Sequence, residues 1–161
     1  MSDLLWDDVK DAFDPEWEGV LPDVWVREAC VEDWQAVLDL IVDSGWRSEY
    51  SEGDVVMPLP CAEQVLSRPA DADCPSLRVW PDPDVLAIFR FYSADEIDFD
   101  VDLGELQGQE RLDVLCGFLC AIGRRLGKPV VMTPEGSHDR PVLGFDARAD
   151  RVVLLADSQV S

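Results

Sequence analysis

The chain has no asparagine, one threonine (Thr133), one histidine (His138) and two lysines (Lys10 and Lys128) in 161 residues. The missing asparagine excludes nothing about function, but the other shortages do. A single histidine rules out a zinc site built from several imidazoles. Positive charge is scarce: 13 Lys plus Arg stand against 34 Asp plus Glu, a formal net charge of −21. Such a chain repels nucleic acids and anionic membranes, and its scattered cations form no basic patch. It is expected to bind neither. No apolar run approaches the roughly 20 residues that a helical membrane span needs. The first segment, MSDLLWDDVKDAF, is acidic and lacks the apolar core of a secretory signal, so a cytoplasmic protein is expected. The segment GELQGQ has two glycines but neither the lysine nor the following Ser/Thr of a phosphate-binding loop.

What is present argues for a folded core. Hydrophobic residues make up 47% of the chain, with six Trp and six Phe, unlike acidic disordered chains, which are poor in aromatics. The length suits one domain. The five cysteines, Cys30, Cys61, Cys74, Cys116 and Cys120, are odd in number and mostly lie in apolar runs. They are expected to be reduced core thiols of a reducing compartment. Cys116 and Cys120 lie four apart on a helix, but no second pair completes a four-ligand metal site, so core packing is the better reading. No cofactor is expected.

Periodicity gives the elements. Residues 2–13 read as a short amphipathic helix capped by Ser2, with Leu5, Val9 and Phe13 at helical spacing. Two prolines and a glycine in DPEWEGVLPD then break the pattern. This arm, residues 1–20, either packs on the domain or docks on a partner; packing covers Trp6 and Trp17. Residues 21–161 form the single domain. VWVREA is a strand. VEDWQAVLDLIVDSG is a helix with Trp34, Val37, Leu38 and Ile41 on its apolar face and Gly45 at its end. WRSEY and DVVMPL make a hairpin around SEGD, and a short helix runs through CAEQVLSR. PADADCPS is a loop. SLRVW, DVLAIFRFYS and DEIDFDVDL follow with tight connections, as in an antiparallel meander. Residues 109–126 are a long helix with Leu112, Leu115, Phe118, Leu119, Ile122 and Leu126 inward, stopped by Gly127 and Pro129. PVVMT, PVLGFD and RVVLLAD complete the sheet. Strands come in consecutive runs. The fold class is therefore α+β, a mostly antiparallel sheet of about six to eight strands with a central meander and two main helices on one face.

The segment ADEIDFDVDLGELQGQE, residues 94–110, is the most distinctive. Glu96, Asp98, Asp100 and Asp102 alternate with Ile97, Phe99, Val101 and Leu103. A strand would send the apolar set inward and the acids outward. Acids two positions apart lie about 6.5–7 Å from one another, a tolerable repulsion only if the face is wet or meets cations. The partner-binding residues expected on this basis are Glu96, Asp98, Asp100 and Asp102, with Glu105 and Glu110 at the rim. The same residues also resemble a calcium loop with one residue too many. Asp98, Asp100 and Asp102 take its first, third and fifth positions, and Gly104 and Glu110 supply its glycine and bidentate glutamate if Leu103 is an insertion. The β-like approach and the position of Leu103 depart from that pattern.

His138 lies beside Glu135, Ser137 and Asp139 in PEGSHDRP. Catalytic Ser, His and Asp normally meet from distant parts of a chain, so this run reads as a surface loop and no catalytic residue is assigned. Trp25, Trp34, Trp46 and Trp80 read as core, although a Trp exposed beside the acidic stripe would mark a binding hot spot. Three functions remain open. The first is a non-enzymatic acidic protein that neutralises a basic protein partner; in size and charge the chain resembles bacterial immunity proteins that block basic toxin nucleases. The second is a calcium- or magnesium-binding protein or hydrolase using the carboxylates of residues 98–110. The third is a subunit or regulatory module that docks through its N-terminal helix.

Overall fold

A computed structural model describes residues 4–14, 21–67, 74–134 and 141–155. The strands are β1 (Asp23–Arg27), β2 (Arg47–Glu52), β3 (Val55–Met57), β4 (Ser76–Asp82), β5 (Val85–Arg90), β6 (Glu96–Asp100), β7 (Val130–Thr133), β8 (Leu143–Asp146) and β9 (Arg151–Leu154). They form one sheet in the order β3-β2-β4-β5-β6-β1-β7-β8-β9, and each pairing is antiparallel. The helices are α1 (Trp6–Val9), α2 (Val31–Asp43), α3 (Ala62–Leu66) and α4 (Gln109–Leu126), with 3-10 turns at Lys10–Phe13 and Leu103–Glu105. The α+β class and the central β4-β5-β6 meander hold; the strand count of nine exceeds the six to eight read from the sequence.

Strand alternation builds the core. Tyr50, Leu77, Phe89, Phe99, Val24 and Met132 stand side by side across six strands, all buried. Both long helices lie on this face. From α4, Phe118 meets Phe89 and Phe99 edge-on, with ring centroids 6.2 and 5.4 Å away. Trp34 of α2 packs on Phe91 at 4.6 Å, and its indole N–H donates to the Ser93 carbonyl at 3.0 Å. Gly123 lets α4 come close to β8, because a Cβ there would fall 2.1 Å from the Phe145 ring. Gly127 closes α4 in the left-handed conformation, φ 67°, as the sequence predicts. Lys128, just beyond, donates to the Glu28 carbonyl at 2.7 Å and pairs with Asp33. The hydrogen bond that the ammonium donates to Asp33 holds its pKa above the ordinary lysine value.

The N-terminal segment joins this core. Val9 and Phe13 are buried, and Trp6 meets Phe13 edge-on at 5.5 Å. Gln109 bridges to it twice, accepting from the Trp6 N–H at 2.7 Å and donating to the Leu4 carbonyl at 2.9 Å. Gln107 donates to the Phe13 carbonyl at 2.8 Å. The predicted helix of residues 2–13 is shorter than expected, α1 giving way to a 3-10 turn. Leu5 is the extended residue just before α1 and stays 64% exposed, while Trp6 covers Phe13. Ser2 and Trp17 lie outside the described residues, as do most of PADADCPS and the run containing His138.

The cysteine expectation needs correction. Cys116 and Cys120 are buried on α4, but Cys30, Cys61 and Cys74 are exposed. Cys30 and Cys61 immediately precede α2 and α3, where the chain turns at the surface. Among the described residues, no helix is long and apolar enough to cross a membrane.

Candidate functional site

The sheet face opposite the long helices carries the acids of β1 and β6 beside the apolar Trp25 of β1 and Leu86 and Ile88 of β5. In β6, Ile97 and Phe99 are buried inward while Glu96, Asp98 and Asp100 point to the other face and are half-buried. β6 is the middle strand of the nine, so these acids stand at the centre of that face. Across the β1 pairing, Asp23 is opposite Asp100, Trp25 opposite Asp98 and Arg27 opposite Glu96. On the other side of β1, Thr133 is opposite Asp23 and Val131 opposite Trp25. On the β5 side, Ile88 is opposite Asp100.

The predicted acids do not lie along one strand. Asp102 lies beyond β6, and its Oδ1 accepts from the Gly104 N–H at 2.8 Å, capping the 3-10 turn. That local bond turns the chain two residues earlier than the alternation predicts. Glu105 Oε1 accepts from the Leu86 N–H at 3.0 Å, tying the turn to β5. Asp100, Asp102 and Glu105 meet at a cavity of about 110 Å³ shared with Leu86, Ile88 and Arg90. Glu110 sits apart and exposed in the first turn of α4, where a carboxylate complements the helix dipole.

The calcium-loop geometry is likewise not formed. Asp98 and Asp100 belong to a strand, Asp102 to a cap and Glu110 to a helix. The carboxylates that do converge, among the described residues, are Asp23, Asp98 and Asp100; one oxygen from each lies within 4.8 Å of the other two. At such separations each like-charge pair repels by about 3 kcal/mol at an effective dielectric constant of about 20. One relief is visible: Arg90 Nε donates to Asp100 Oδ2 at 3.0 Å. Burial pulls the Arg90 pKa down, but the hydrogen bond and charge of Asp100 outweigh it and the net shift is upward. This guanidinium stays charged.

Two other arginines stack on tryptophans. Arg27 stacks 4.2 Å above the Trp25 ring, and Arg47 lies 4.4 Å above Trp80. Trp25 is thus the tryptophan beside the acidic stripe, but at 9% exposure it is covered rather than presented. Its Nε1 and the Thr133 Oγ1 are buried with no hydrogen-bond partner among the described residues.

Asp23, Arg90 and Thr133 were not among the site residues expected from the sequence, and Trp25 was read as core. The sequence holds a weak signal for two of them, since Asp23 and Trp25 are two apart and so share a face of β1. Nothing local connects residue 23 with 98, 100 or 133; register does. The Glu135–Ser137–His138–Asp139 run lies outside the described residues. No known protein family, no curated protein and no solved structure is similar to this chain.

Proposed function

We propose that this protein is a non-enzymatic acidic binding protein that receives a basic protein partner on the sheet face opposite its long helices. The observation that supports this reading is the placement of Glu96, Asp98 and Asp100 at the centre of that face, joined by Asp23. A net charge of −21 steers a cationic partner toward the molecule, and the central acids give it a place to dock. Asp102 and Glu105 support the edge of the surface through their hydrogen bonds, and Glu110 adds charge at a distance. An immunity-type role, neutralising a basic toxin, is the instance that size and charge favour. The reading as a docked subunit draws less support, because Val9 and Phe13 are already buried within the chain.

The test is capture from the native cytosol by the immobilised wild-type protein and by a Glu96→Gln, Asp98→Asn variant. A basic protein retained at low salt, shed at high salt and lost with the variant is the expected outcome. Equal retention by both proteins, or retention of no basic protein, would overturn the proposal.

A further inference from the structure

We infer that Asp23, Asp98 and Asp100, with the hydroxyl of Thr133, form a binding site for one hard divalent cation. This inference does not depend on a protein partner. Two independent features meet at one spot. The first is the convergence of three half-buried carboxylates from β1 and β6, with one oxygen of each within 4.8 Å of the others. Oxygens bound to one ion at about 2.4 Å lie no more than about 4.8 Å apart, so all three carboxylates can reach one calcium ion. A carboxylate has about four lone-pair positions, so a ligand role is compatible with the bond that Asp100 receives from Arg90.

The second feature is a pair of buried polar atoms on residues that stand opposite two of the carboxylates in the sheet. Thr133 is wholly buried, shares the outer face and stands opposite Asp23, yet its Oγ1 has no hydrogen-bond partner. Trp25, opposite Asp98, buries an indole N–H that has no acceptor. Buried polar groups are costly unless satisfied. A cation with its remaining water satisfies both: the hydroxyl oxygen turns a lone pair to the ion or its water, and the indole donates to a water oxygen in the ion's shell. All the metal-binding atoms are oxygen, which selects calcium, manganese or magnesium over the softer transition metals.

The experiment uses the full chain, with ionic strength held constant by KCl because any salt stabilises so acidic a protein. Calcium titrated by calorimetry is expected to bind one per chain. At about a hundredfold excess over its Kd it raises the melting temperature by about 5–10 °C. Terbium, a luminescent stand-in for calcium, is expected to emit on tryptophan excitation and to be displaced by calcium. Trp25→Phe removes most of that emission while leaving the one-to-one stoichiometry. Asp23→Asn and Thr133→Val each weaken calcium binding about tenfold or more. Absence of saturable binding up to about 10 mM calcium overturns the inference. So does unchanged affinity in folded Asp23→Asn, or undiminished emission in Trp25→Phe, which places the ion elsewhere. Should Asp23→Asn fail to fold, by circular dichroism, the emission of Trp25→Phe decides alone. Failure here leaves the salt-sensitive capture of a basic protein to be judged on its own, since that assay needs no added ion and turns on the charges of Glu96 and Asp98.

Discussion

Gly123 is the residue on which the helix layer and the sheet come closest. Added as an alanine methyl, its Cβ would sit 2.1 Å from Cδ2 of Phe145, inside any permitted contact. The Phe145 ring is itself buried, so it has little room to turn away. Gly123→Ala is therefore expected to destabilise the protein by about 1–3 kcal/mol, despite alanine's better helix propensity. Chemical denaturation checks this; a stabilised variant would mean that α4 can shift on the sheet. Gly123 was not distinctive in the sequence, where it reads as one small residue on a long amphipathic helix. Gly127 was, because a glycine and then a proline just past the last apolar residue announce a helix end. One glycine answers to its own backbone, the other to a ring contributed 22 residues later.

At the scale of elements, α4 illustrates what periodicity can deliver. Its predicted bounds, 109–126, agree with the structure, as the apolar stripe and the stop signals are both local. β6 illustrates the limit. Alternation correctly sends Glu96, Asp98 and Asp100 away from Ile97 and Phe99, but it runs on to Asp102, which instead caps the following turn. A carboxylate two residues before a glycine N–H can end a strand without disturbing the apolar pattern. The N-terminal segment depends still more on its surroundings: α1 and the turn after it are too short to persist alone, and they are held by Gln107, Gln109 and the burial of Phe13. Phe13→Ala should cost about 3–5 kcal/mol, the range for emptying a buried phenylalanine site. A loss well below this, measured by urea denaturation, would show that the segment contributes little to the core.

For the whole molecule, the charge imbalance is the dominant long-range term. A net charge of −21 repels itself in the folded state, and the described ion pairs lie mostly at the surface, where each contributes little. Raising NaCl from about 10 mM to about 500 mM shortens the screening length from about 30 Å to a few ångströms. The melting temperature is expected to rise with it. A fall would mean that attractive pairs such as Arg90–Asp100 and Lys128–Asp33 outweigh the collective repulsion. The same field would draw a cationic partner from a distance, and the central acids would determine where it settles.

Sequence by itself determined the class of the fold, the place of each long helix and strand, and the separation of acids from aromatics along β6. These follow from periods of 3.6 and 2, which each segment carries within itself. Only the tertiary structure decided that Asp23 stands beside Asp100, that Thr133 stands beside Asp23, and that Asp102 caps a turn while Glu110 begins a helix. Strand order and register join residues more than seventy positions apart, and no local propensity encodes which strand will lie next to which.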